Sequence, residues 1–187
     1  MAVVQTGKKA VKVYNPQYML ITPFTGKEKG ATTYKVDDVV RDSTQLTQGD
    51  AEETKVDNEF SASPIVNNVK PGSYTFATSI GDMQPDLLKD IVGFTVDETS
   101  KKIYAPNTYK DVFAEITLVF QTGGKNVACI LPKVQLNPKV TIESINTSVG
   151  KIDINGVGFD LSVKDGGNSY TTPFLVDPDF TDPEGVK

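Results

Sequence analysis

FAEITLVFQTGGKNVACILPKVQL, residues 113–136, is the stretch that decides the fold. Ala114, Ile116, Leu118 and Phe120 alternate with Glu115, Thr117 and Gln121, and Val119 is the exception. A period of two puts alternate side chains on opposite faces, so the run predicts a strand with one buried face. Gly123 and Gly124 follow, and paired glycines supply the positive φ angles of a tight hairpin turn. The return strand covers 126–136. Its Pro132 cannot donate to a ladder, which predicts a bulge or a sheet edge there.

Outward from this hairpin the chain continues to read as strands. KVTIESIN (139–146) and GKIDINGVGFDLSV (150–163) follow it. In the second, the apolar parity switches from Ile152 and Ile154 to Val157, Phe159 and Leu161 across Gly156, and a glycine at a phase change predicts a bulge. Upstream candidates are AVKVY (10–14), YMLIT (18–22), TYKVDDVV (33–40), EETKVDNEF (52–60) and SYTFATSI (73–80), with a further hairpin over 95–105. One helix is expected within 81–94. Pro85 suits its first turn, Asp86 its positive end, and Gly93 its C-terminal stop, while Leu87 pairs with Ile91 and Leu88 with Val92. It is too short to stand alone and must lie on a sheet. The acidic, proline-rich end is expected to be extended or mobile from about 177 to 187. These elements predict a mainly β protein in one domain over residues 1–187: an antiparallel β-sandwich or barrel, one short flanking α-helix, and a long protruding hairpin or loop.

Residue counts narrow the function more than motifs do. The chain has no histidine and one cysteine, Cys129. Ser-His-Asp and Cys-His triads, zinc sites built on histidine and all-cysteine zinc sites are therefore excluded. An enzyme would have to run on carboxylates, lysine, tyrosine or a bound cofactor. No Gly-rich phosphate loop precedes a helix, so nucleotide binding has no support. The net charge of −5 opposes a grip on nucleic acid, which needs clustered Lys and Arg. No run has the length of a membrane span, and the N-terminus lacks the apolar core of a signal peptide. Cys129, set between Ala128 and Ile130, reads as an inert, buried thiol, and a lone cysteine fits a reducing compartment.

The acidic segment GDAEETKVDNEFSASPI (49–65) is the one dense cluster of titratable groups. A calcium loop needs oxygens at D-x-D-x-D-G spacing with a later glutamate, and this segment has neither that spacing nor the glycine turn. As a strand, 52–60 puts Glu53, Lys55, Asp57 and Glu59 on one face and Thr54, Val56 and Asn58 on the other. Neither face suits the centre of a sheet. The pattern describes a solvated or partner-contacting ribbon whose charges also discourage accidental edge pairing. The contact residues expected of this arm are Asp50, Glu52, Glu53, Lys55, Asp57, Glu59 and Phe60. No catalytic, metal or cofactor residue is assigned.

The order of these elements resembles a known family. A charged hairpin closing on NEFSASPIV leads to GSYTFATSIGD and then to the PDLLKDIVGF helix. AEITLVFQTGGKNVACILPKVQL and VTIESINTSVGKIDINGVGFDL follow. Over residues 35–165 this is similar to the major tail-tube proteins of long-tailed bacteriophages, which share a fold with the inner-tube proteins of contractile injection systems. The resemblance implies hexameric rings stacked into a hollow tube. An arm over 42–64 would reach a neighbouring copy, and the helix 86–92 would pack on the outside of the sheet. It also implies a virion tail component made in the bacterial host cytoplasm. Its partners would be copies of itself and other tail proteins, with DNA only as passing cargo. Two other classes compete. A carbohydrate-binding β-sandwich would use exposed aromatics such as Tyr14, Tyr18 and Tyr34, although the chain lacks tryptophan. A glycosidase would need two acids facing each other across a cleft, and no such pair is evident.

Overall fold

A computed structural model describes residues 16–58, 61–81, 84–100, 102–108, 110–141, 151–165, 167–183 and 186. The strand candidate 10–14 and most of 139–146 lie outside them. In chain order the described residues form β1 (Tyr18–Thr25), β2 (Glu28–Lys29), β3 (Tyr34–Val36), β4 (Gln45–Gln48), β5 (Glu52–Asn58), β6 (Ser61–Lys70) and β7 (Tyr74–Ile80). A short helix, α1 (Pro85–Leu87), then widens into a π-turn (Leu88–Val92). The remainder is β8 (Thr95–Val96), β9 (Ile103–Tyr104), β10 (Val112–Thr122), β11 (Lys125–Thr141), β12 (Lys151–Gly158), β13 (Leu161–Asp165), β14 (Asn168–Thr172) and β15 (Leu175–Asp177).

Nine of these strands build one curled antiparallel sheet, a half-barrel ordered β2-β1-β10-β11-β12-β7-β4, with β3 also on β1 and β15 also on β11. Its spine is the expected β10–β11 hairpin. Gly123 and Gly124 turn it with φ of 61° and 81°, and the ladder runs from Thr122↔Lys125 to Val112↔Leu136. The bulge expected at Pro132 is present: the register slips between Ala114 and Ile116, so Pro132 and Lys133 face Glu115 alone. β11 then continues through Pro138 to Thr141 as one strand, where the sequence suggested two. Pro138 lies past the end of β10, so β11 has a free edge there that tolerates a residue without an N–H.

Gly156 behaves differently from expectation. β12 keeps an unbroken register with both β11 and β7 through this residue, so there is no bulge. The parity switch arises because Ile152 and Ile154 enter the core, whereas Val157 and Phe159 stay 40% and 41% exposed on the opposite face. There Phe159 meets the edge of Phe113 at 6.0 Å. Gly156 is required for space: a Cβ would lie 2.4 Å from Cγ1 of Val134 and 2.8 Å from the carbonyl oxygen of Gln135.

Burial is two-sided at the centre of the sheet. Met19, Ile21, Ile116, Leu118, Leu131 and Ile154 point into the main core, together with Phe76 and Ile80 from β7. The helical segment caps that face. Pro85 stands in its first turn and Gly93 ends it in the left-handed region at φ 84°. Leu87, Leu88, Ile91 and Val92 are all buried, and the wider π-turn takes the place of the regular α-helix that the sequence suggested. On the other face Tyr18, Leu20 and Val119 form a smaller cluster with Phe180 and Val186. Phe180 and Val186, in the segment beyond Asp177 that is expected to be extended or mobile, therefore pack against the sheet.

Candidate functional site

Besides the separate β8–β9 and β13–β14 hairpins, the β5–β6 ribbon and the C-terminal strap lie outside the main core. The ribbon is a two-stranded sheet of its own, with Glu52↔Lys70, Glu53↔Val69, Thr54↔Asn68, Lys55↔Asn67 and Val56↔Val66 opposed, and an irregularity at Asp57 before Asn58↔Ser61. It differs from the arm expected over 42–64 at both ends. Gln45–Gln48 belongs to the main sheet, where it pairs with β7, and the ribbon runs beyond Pro64 to Lys70. Of the expected contact residues, Asp50 lies in the loop entering β5, while Glu52, Glu53, Lys55 and Asp57 lie in β5. Glu59 and Phe60 fall outside the described residues. Asp50 and Glu53 are exposed, as are Val69 and Lys70 on the returning strand.

The ribbon's base is pinched. The Gly49 N–H donates to the Ser73 carbonyl at 2.9 Å. A Cβ on Gly72 would lie 2.1 Å from the Gly49 carbonyl oxygen and 2.4 Å from that of Asp50. Only a residue without a side chain lets the two chain segments cross so closely, which fixes where the ribbon leaves the sheet. Among the described residues no group of three or more Asp, Glu or Cys is placed to hold a metal ion.

The strap crosses the opposite face. β15 pairs with Ala128–Ile130 of β11. Lys125 Nζ donates to Asp179 Oδ1 at 2.6 Å, and the bonded carboxylate raises the lysine's pKa. The Tyr18 hydroxyl donates to Asp182 Oδ1 at 2.6 Å. Burial first, and then that hydrogen bond, push the Tyr18 pKa well up. Tyr34 is shifted the same way by burial and by donating to Asp90. Strap, β13–β14 hairpin and sheet face together enclose a groove of about 910 Å³, lined in part by Leu20, Thr117, Ile130, Lys164, Tyr170 and Phe180. Cys129, beside this groove in sequence, is partly buried against the main core instead, and that burial raises its thiol pKa. The strap's partners span the whole chain, so a sequence signal for them was limited to the apolar PFLV run at 173–176.

On the polar face of β12 and β7, Asp153 accepts from Ser79 Oγ at 2.5 Å and from Thr141 Oγ1 at 3.2 Å, with Lys151 Nζ 3.6 Å away. The serine bond is the main cause of a lowered carboxyl pKa. Tyr18 and Tyr34, the aromatics a sugar platform would need, are 8% and 3% exposed and hydrogen-bonded. Tyr14 lies outside the described residues. No helix among the described residues is long and apolar enough to cross a membrane.

No protein-family model matches this chain, and no curated protein matches it. Among solved structures it is similar to a chain of the cryo-EM structure of the anti-feeding prophage (AFP) baseplate, 6-fold symmetrised. The two share 6% identity over 90% of this chain and 97% of that one, with a TM-score of 0.42.

Proposed function

We propose that this chain is a non-enzymatic structural subunit of a phage-like tail. Copies would assemble into rings, hexameric by the family resemblance, that stack into a hollow tube through which DNA passes without being bound. The observation that carries this reading is the β5–β6 ribbon, which pairs with itself and stands apart from the main sheet. A two-stranded hairpin is marginal in water, and a charged one seated on a polar partner gains the support it lacks alone.

The open sheet supports the same reading. Its path ends in short strands, β4 on one side and β2 with β3 on the other. Unlike edges on successive copies can meet head to tail, and such contacts close into rings when the rotation allows. The net charge of −5 disfavours adhesion to a DNA backbone. With Tyr18 and Tyr34 buried, the sugar-binding alternative loses two of its proposed platforms.

Negative-stain imaging of concentrated protein tests the proposal, with rings or tubes as the expected result. Bridging Gly49 to Ser73 in place of the ribbon should leave a folded sheet that no longer stacks. A protein that stays monomeric at every concentration overturns the reading.

A further inference from the structure

β11 has β10 along one side, but its other side is shared. β12 takes Val134–Thr141, and the chain's own β15 takes Ala128, Cys129 and Ile130. Phe174, edge to face with Tyr74 at 5.2 Å, is the last residue before this strand that packs against the main core. Past Phe174 the hold is shallow. Among the described residues it rests on a three-residue ladder, the Tyr18–Asp182 hydrogen bond, the packing of Phe180 and Val186 on the Tyr18 cluster, and an ion pair whose side chains are 71% and 70% exposed. Val176 remains 52% exposed, and the groove of about 910 Å³ stays open beside the strap. Pro173 and Pro178 bracket the strand. Each fixes its own φ and biases the residue before it towards extended backbone, so the piece keeps its shape when it detaches.

We propose that residues 175–183 form an exchangeable strand, and that the β11 edge at Ala128–Ile130 with its groove receives the same segment from a second copy of this chain. The fit needs no new complementarity, because every contact made within one copy is available between two. The balance is then set by local concentration of the donor strand instead of by contact strength. Donation is head to tail, so it propagates from copy to copy or closes a ring. Salt, which screens the exposed Lys125–Asp179 pair, favours release of the strap. The inference does not rest on the tail-tube reading, since a simple exchanged dimer satisfies it.

The register supplies its own reporter. Cys129, the chain's only cysteine, stands opposite Val176. In a Val176→Cys variant, diamide oxidation joins the two thiols, and a short bismaleimide is the second linker. Exchange predicts covalent dimers and higher ladders on non-reducing gels, rising several-fold with protein concentration and collapsing on reduction. The single-cysteine controls, wild type and Val176→Cys with Cys129→Ala, should show none. Only internally linked monomer at all concentrations, or no linkage by either reagent, overturns the proposal. A second measurement avoids new cysteines: Lys125→Glu and Asp179→Lys copies, each poorly self-associating, should co-assemble when mixed. Failure of the mixture to exceed either variant alone also overturns it. Loss of tubes with ladders intact would reject the tube reading and leave the exchange standing.

Discussion

Two antiparallel hairpins are set differently in this molecule. The β10–β11 hairpin is buried on both faces, by the main core on one side and by the Tyr18–Leu20–Val119 cluster on the other. The β5–β6 ribbon pairs only with itself and carries alternating charge. Both have the backbone hydrogen bonds of a ladder, so the ladder is not what separates them. What makes the first hairpin the spine is its hydrophobic burial, because hydrogen bonds exchanged with water give a modest net gain while each buried apolar side chain contributes about 1.5–3 kcal/mol. The first hairpin therefore bears the fold.

That contrast can be broken or sharpened by substitution. The largest effect belongs to Phe76→Ala, which empties a 1%-exposed site and should cost about 3–5 kcal/mol in denaturant unfolding. Gly156→Ala forces a methyl against Val134 and the Gln135 backbone, and a loss of about 1–3 kcal/mol is expected in the same assay. Gly72→Ala meets equally close backbone but only at the ribbon's root. It should move the unfolding midpoint less than Gly156→Ala, while amide exchange at Gly49 accelerates as the pinch opens. Acid acts on the sheet through Asp153. Asp153 has a folded pKa below its ordinary value of 3.8, so its stabilising contribution is present above that value and is lost as pH falls through the lower folded value. An Asp153→Asn variant should show a shallower acid-unfolding slope in that window. The smallest effect is expected from excising residues 52–70, which should leave sheet stability within about 1 kcal/mol of the parent by thermal unfolding. A large loss there would mean that the ribbon belongs to the fold after all.

Local signals made the spine legible and non-local ones did not. Alternation from Ala114 to Phe120 and the Gly123–Gly124 turn are written within a few residues, and so is the bulge at Pro132. Gly156 was misread because two different causes give the same pattern. A bulge and an exposed apolar pair on the outer face both switch the parity, and only tertiary contact with Phe113 separates them. The ribbon's charge pattern was legible, but its limits were not, since Gln45–Gln48 is claimed by β7 from 26 to 32 positions away. Of the strap only the apolar PFLV run at 173–176 was legible, for a similar reason. An acidic, proline-rich end reads as solvated until Tyr18 and Lys125, far off in sequence, supply partners for Asp182 and Asp179.

The seventeen residues of β11 have a mechanical consequence. At about 3.3 Å per residue the strand is roughly 55 Å long and is bonded to β10, β12 and β15 at overlapping positions along it. Tension applied along this strand loads many of those bonds in parallel as shear, whereas a hairpin pulled open from its end yields one pair at a time. Anything fastened at Ala128–Ile130 is thus tied through a single continuous backbone to β12 and, beyond it, to β7. β11 acts as a tie-rod through the half-barrel, and a pull at one end is shared along its ladders with β10, β12 and β15.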